Sequence, residues 1–129
     1  MANMDAIRRC AADRAIAPSD QPIDFAHLFR MTLGDHDLAH EVLALFDQQA
    51  GILIARMATV DPSCVAALAH TIKGSARGVG AWPVARAAEA VESAQVGDLE
   101  PAVAALTAAA AEARAAIADL LRVKSALPT

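Results

Sequence analysis

The chain has no tyrosine, one tryptophan and three phenylalanines, so aromatics make up only 3% of it. Strands favour aromatic and β-branched side chains, and their scarcity disfavours a sheet protein. Cysteine is nearly absent as well. Cys10 and Cys64 stand alone, with neither redox nor metal-ligand spacing, which fits two reduced, structural thiols in a cytoplasmic protein. No stretch of about 20 apolar residues is present, so no membrane crossing is expected. The opening MANMDAIRRCAADRA is charged too early and lacks the apolar core of a secretory signal. Basic residues are not in excess either, and a net charge of −4 leaves no general footprint for nucleic acid. The G-x-x-x-x-G-K-[ST] signature of a phosphate-cradling nucleotide loop is missing.

What the chain does have is alanine, which dominates a hydrophobic fraction of 56%. Alanine is the best helix former and lets packed helices approach closely. At 129 residues the chain is sized for one domain with a single core. A short helical pattern covers residues 4–15 and is broken by APSDQP. A second short apolar segment runs from Ile23 to Leu33 and stops at Gly34. Asp35 then reads as the N-cap of a long helix to about Thr59, with Leu38, Val42, Leu45, Phe46, Gln49, Ile52 and Met57 as its stripe. Asp61-Pro62 starts the next helix, which ends near Gly80. Trp82-Pro83 opens another to about Gln95, and the last spans roughly Leu99 to Val123. Short loops between long helices favour antiparallel neighbours. The expected fold is all-α: an antiparallel up-down four-helix bundle over residues 22–123, with an N-terminal helix and loop extension at 1–21 and a tail at 124–129.

One segment does not fit a merely structural helix. ALAHTIKGSARGVGAW, residues 67–82, carries three glycines and two cations around the histidine His70. A mid-helix glycine costs about 1 kcal/mol against alanine. On a helical wheel, Val65, Leu68, Ile72 and Val79 fall within about 40° of the side opposite His70, with Ser75 near them. His70 therefore faces outward, beside Ala66, Ala67, Lys73, Gly74 and Arg77. An exposed histidine is usually unremarkable, but here Gly74 bares the backbone beside it. Lys73 and Arg77 could offset the charge of a phosphoryl group on the ring. If the chain reverses at Ala81, His70 and Glu92 lie equally far from the turn, each roughly 16 Å along its helix. Glu92 could then accept a hydrogen bond from Nδ1 and leave Nε2 free as a nucleophile, or it could simply share a solvated face with Glu89.

Ala69-His70-Thr71-Ile72-Lys73-Gly74-Ser75-Ala76, followed by Gly80, resembles the A-H-x-L-K-G-x-S/A pattern of the histidine-containing phosphotransfer (HPt) domain family. Upstream, LFRMTLGDHDLAHEVLALFDQQ is similar to the helices that precede that motif, and Glu92 falls where relatives carry Gln or Glu. The likeness spans residues 22–123. It implies a four-helix bundle whose His70 Nε2 accepts a phosphoryl group from a receiver-domain aspartate and passes it to another receiver. Lys73 becomes an electrostatic partner of that group, and Ala66, Ala67 and Gly74 a docking surface. Arg77 is a further cation to which the pattern assigns no role. The implied partners are response-regulator receivers and the receiver of a hybrid histidine kinase. Mg²⁺ sits on the receiver, and no cofactor, metal, nucleic acid or membrane is expected on this side. The chain would be a cytoplasmic, monomeric carrier without kinase activity, and its Met1 start suggests that it stands alone.

Four other readings compete. GSARGVG could cradle a nucleotide, but no strand precedes it. His36 and His40 stand at i, i+4 with Asp37 and Glu41 beside them and His27 upstream, yet the second motif of a zinc site is missing. A helical adaptor that binds signalling partners without phosphorylation needs no histidine chemistry at all. A kinase dimerisation domain also phosphorylates a helical histidine, but there an acidic residue normally follows it, and here Thr71 does.

Overall fold

The computed structural model describes residues 20–126. Five α-helices follow in order: α1 (Phe25–Met31), α2 (His36–Met57), α3 (Pro62–Val79), α4 (Trp82–Glu92) and α5 (Leu99–Ala126), with a 3-10 turn at Val96–Asp98. No strand occurs among the described residues. The helix expected at 4–15 and Cys10 lie outside them, as do most of the 1–21 extension and the end of the tail. Each long helix packs on the next, α5 returns to α2, and α1 lies over α2 and α3.

Local chemistry sets the boundaries. Asp35 caps α2 by accepting from the Leu38 N–H at 3.1 Å, as expected from the sequence. Asp61 occupies the N-cap position of α3, but its side chain makes no capping bond, and Pro62 supplies the start. α4 ends at Glu92, short of the expected Gln95, where Ser93 Oγ donates back to the Glu89 carbonyl at 3.1 Å. α5 runs past the expected Val123 to Ala126.

Two stripes differ from the sequence-based reading. In α2 the buried residues are Ala39, Leu43, Phe46, Ala50, Leu53 and Met57. The expected stripe is displaced sideways, and Leu38, Leu45 and Ile52 are exposed. In α3 the buried residues are Val65, Ala69, Ile72, Ala76 and Val79, while Leu68 is only half-buried. Both shifts have one cause. Alanines at the helix seams bury completely because small side chains let backbones close up, so the core arc turns toward them. Larger aliphatics such as Leu43, Ile72, Leu106 and Ile117 fill the centre, each worth about 1.5–3 kcal/mol when fully buried. Cys64 is exposed near the start of α3 and contributes nothing to that core.

A clasp fixes α1 to the α3–α4 turn. The Asp24 N–H donates to the Gly80 carbonyl at 2.8 Å. The Asp24 carboxylate accepts from Trp82 Nε1 at 3.0 Å and from the His27 N–H at 3.1 Å. Those two bonds, the indole first, hold the Asp24 carboxyl below its ordinary value. His27 packs on Trp82 at a ring separation of 4.8 Å, and its Nε2 donates to the Arg77 carbonyl at 3.1 Å.

Candidate functional site

His70 lies midway along α3 with its side chain 71% exposed. The turn of the buried arc toward Ala69 and Ala76 brings His70 closer to α4 than a wheel centred on the large aliphatics would. Its Nδ1 meets Glu92 Oε2 at 2.8 Å. A carboxylate can only accept, so the imidazole donates through Nδ1–H, and the Nε2 lone pair points away from the pair. Glu92 thus lies within hydrogen-bonding distance of the His70 ring rather than apart from it on a face shared with Glu89.

The sequence placed Lys73 beside the outer face of His70. Its ammonium instead lies 2.6 Å from Glu92 Oε1, and its side chain is only 15% exposed. Oε1 is shut away from water and has no aligned hydrogen bond, so the nearby positive charge is its compensation. Lys73 first, and His70 second, hold the Glu92 carboxyl below its ordinary value of 4.5. The structure thus joins His70, Glu92 and Lys73 in one linked group across the α3–α4 seam.

Arg77 is exposed further along α3 and forms no side-chain ion pair among the described residues. It borders a small pocket with Trp82, Ala85, Arg86 and Glu89, not the His70–Glu92 contact. Ala66 and Ala67 are exposed on the turn before His70.

Gly74 is exposed, and a Cβ built on it would meet nothing within 4 Å. Nothing inside the fold therefore requires a glycine there. The same holds for Gly78. Gly78 is helical, and only Gly80 is left-handed, with φ +82°. The helix continues because the αL residue at its end satisfies the last turn alone. Gly74 and Gly78 are one turn apart on the same face, a four-residue spacing that was visible in the sequence. Gly74→Ala is expected to stabilise the fold by about 0.5–1 kcal/mol in urea denaturation, whereas Gly74→Gln should slow phosphoryl transfer by crowding the face. Transfer at the parent rate in Gly74→Gln would show that the glycine does not serve docking.

Beyond Gly78 and Ser75 lies an open apolar groove of about 640 Å³ between α1, α2 and α3. Met31, Leu45 and Ile52, all exposed, line it with Val42, Phe46 and Leu53. Most of the expected α2 stripe, namely Val42, Leu45, Phe46, Gln49 and Ile52, lines this groove.

The other histidines are engaged locally. His36 packs on Phe29 at a ring separation of 4.9 Å, and His40 Nδ1 donates to the His36 carbonyl at 2.6 Å. Among the described residues, no three His, Cys, Asp or Glu side chains are grouped to hold a metal ion, and no helix is long and apolar enough to cross a membrane.

Acid should undo the linked group. The lowered Glu92 value means that the ionised link adds stability above the ordinary glutamate pKa of 4.5, and this is lost as pH falls through the folded-state value. The stability gap between the parent and Glu92→Gln in urea titrations should therefore be constant near neutrality and close below pH 4.5. A gap that widened on acidification would contradict this linkage.

No curated protein and no solved structure gives a significant match to the chain. A family model described as Hpt domain matches residues 37–121, which includes His70, Lys73, Gly74 and Glu92. With that match spanning most of the sequence and an exposed histidine hydrogen-bonded to a carboxylate within it, the chain belongs to the Hpt domain family.

Proposed function

We propose that the protein is a phosphoryl carrier of a two-component phosphorelay, taking the group from a receiver-domain aspartate onto His70 and yielding it to a second receiver. The observation that carries this reading is the Nδ1–Glu92 bond at 2.8 Å on an otherwise exposed imidazole. In the forward step the Nε2 lone pair forms an N–P bond while the acyl-phosphate O–P bond breaks. The electron pair leaves on the receiver's carboxylate. The ring keeps its Nδ1 proton and becomes cationic, and the Glu92 carboxylate opposite that proton offsets the new charge, as the orienting carboxylate does in a Ser-His-Asp triad. The reverse step returns the same charges to a second aspartate.

Mg²⁺ and the acidic pocket belong to the receiver, which supplies most of the stabilisation of the transferring group. Arg77, free of ion pairs among the described residues, is positioned on the same helix to add positive charge. An up-down antiparallel bundle suits the role, because a rigid scaffold holds the nucleophile at mid-helix where a partner can reach it. The docking surface runs from Ala66 and Ala67 over Gly74 to Gly78 and the groove walled by Leu45 and Ile52. A carrier of this kind works as a cytoplasmic monomer with hybrid-kinase and response-regulator receivers as partners.

The groove also favours a second reading, an adaptor that binds a partner without chemistry. Transfer from a ³²P-labelled receiver separates the two. A carrier acquires label in an acid-labile, base-stable bond, as a phosphoramidate must. A chain that binds receivers yet never takes label is an adaptor.

A further inference from the structure

We propose that the open apolar groove between α1, α2 and α3 takes the chain's own N-terminal segment, residues 1–19, which a docking receiver must displace. The groove walls Met31, Leu45 and Ile52 are between 53% and 65% exposed. Contiguous apolar surface of this kind marks a binding face, unlike single scattered side chains. Position favours the N-terminal segment as its occupant. Asp20, where the described chain begins, is tied to Arg86 of α4 by an ion pair at 3.3 Å. Arg86 and Arg77 border the small pocket on the α4 side of α3. Gly78, the residue after Arg77, lines the groove on the α2 side. The segment therefore has to cross one helix, a width of about 10–12 Å. The stretch from Ala15 to Asp20 spans up to roughly 17 Å when extended, and Ala17-Pro18 disfavours a helix there. The crossing runs over Gly74 and Gly78, where even an added Cβ would meet nothing within 4 Å. No side chain bars the way.

The segment's sequence suits the groove. In the helical pattern expected over residues 4–15, Met4, Ile7 and Ala11 fall within about 60° of one another. That is the spacing with which an amphipathic helix lays its apolar face into a groove. Charge agrees with the placement. Arg8, Arg9 and Arg14 against Asp5 and Asp13 give residues 1–19 a net charge of +1, on a chain whose total is −4. Glu41 is exposed on α2 one turn before Leu45, so the groove wall presents an acid to Arg8 at the edge of the apolar stripe. A tethered segment is held at an effective concentration on the order of millimolar, and weak contacts suffice to seat it. His70 lies one turn before Gly74, so a receiver reaching for it competes with the crossing chain. That competition rests on the carrier reading; the occupancy of the groove does not.

The test uses the full chain with Cys64→Ser, which leaves Cys10 as the single thiol. Cys10 lies roughly a quarter turn from the Met4–Ile7–Ala11 stripe, so a nitroxide attached to it leaves the apolar face free. Paramagnetic broadening should be strongest at the amides of Leu45, Ile52 and Gly78 and weak on α5, which packs on α2 and α4 but not on α3. Ile7→Asp should abolish the broadening and raise the rate of transfer severalfold when receiver is limiting. Absent broadening, or broadening spread evenly over the surface, would overturn the occupancy. So would broadening of ¹⁵N-labelled, nitroxide-free chains mixed with nitroxide-bearing unlabelled ones, since a second copy would then supply the segment. Lost broadening in Ile7→Asp with transfer at the parent rate would overturn the competition. Failure of the parent to take label would count against the carrier reading, and the broadening would still decide what fills the groove.

Discussion

His70→Gln is expected to abolish acquisition of phosphoryl label from a receiver while leaving the fold untouched. Chemically, a glutamine amide nitrogen has no available lone pair, so no N–P bond can form however well the partner docks. Structurally, the side chain is 71% exposed and its one polar contact is to Glu92 at 2.8 Å. Exposed substitutions of this sort change stability by no more than about 0.5 kcal/mol. Glutamine can also donate to the Glu92 carboxylate, so the α3–α4 seam and Lys73 keep their partner. Receiver binding should survive, because the proposed docking surface of Gly74, Gly78 and the groove is unchanged. Label on His70→Gln at a rate near the parent's would place the phosphoryl group elsewhere. His27, His36 and His40 would be the histidines to examine, although each is already held by a ring contact or a carbonyl.

Much of the site could be read from the sequence because helical geometry is periodic. The outward direction of His70 and its shared height with Glu92 needed only the rise and turn of a helix and a reversal near Ala81. The helix starts at Asp35, Pro62 and Trp82-Pro83 were signalled by residue types whose local chemistry fixes them. What could not be read was which of two neighbouring apolar arcs faces inward. In α2, Leu38, Leu45 and Ile52 are as hydrophobic as the buried Leu43, Phe46 and Leu53. The choice is made by Ala39 and Ala50, whose small size matters only once a neighbouring helix is present. The same rotation in α3 carries Lys73 into the seam, so its partner could not be deduced from its own helix. Pairing between helices is set by tertiary packing, and the wheel of one helix does not contain it.

The α1 clasp shows that limit in another form. Asp24, His27 and Trp82 are far apart in sequence, and no motif ties them together. Their meeting depends on the left-handed residue at Gly80, which turns the chain so that its carbonyl faces the Asp24 N–H at 2.8 Å. The sequence identified Gly80 as a helix end but gave no sign that another segment would close over it.

Gly80→Ala should consequently be among the most damaging single-methyl changes in the protein, with a loss of about 2–4 kcal/mol. Two independent effects contribute. The φ of +82° lies in the left-handed region, where a Cβ costs roughly 1–2 kcal/mol. The added Cβ would also sit 2.8 Å from the Asp24 carbonyl oxygen and 3.1 Å from its Cβ. Those atoms belong to backbone and to a short side chain pinned by Trp82 and His27, so they cannot swing aside as a flexible chain end would. Relief requires α1 to lift, which loosens the Asp24–Gly80 bond, worth about 1 kcal/mol net. For a domain of this size the midpoint of thermal unfolding should drop on the order of 10–20 °C. Gly80→Asn separates the two effects, since asparagine tolerates the left-handed conformation but keeps the clashing Cβ. If the clash dominates, Asn will be nearly as damaging as Ala; if the backbone conformation dominates, Asn will recover much of the loss. Stability of Gly80→Ala within about 0.5 kcal/mol of the parent would mean that α1 is not clasped to the α3–α4 turn. Transfer measured well below the midpoint should stay near the parent rate, because the lesion is at the end of α3 and the His70–Glu92–Lys73 group lies further back along the seam.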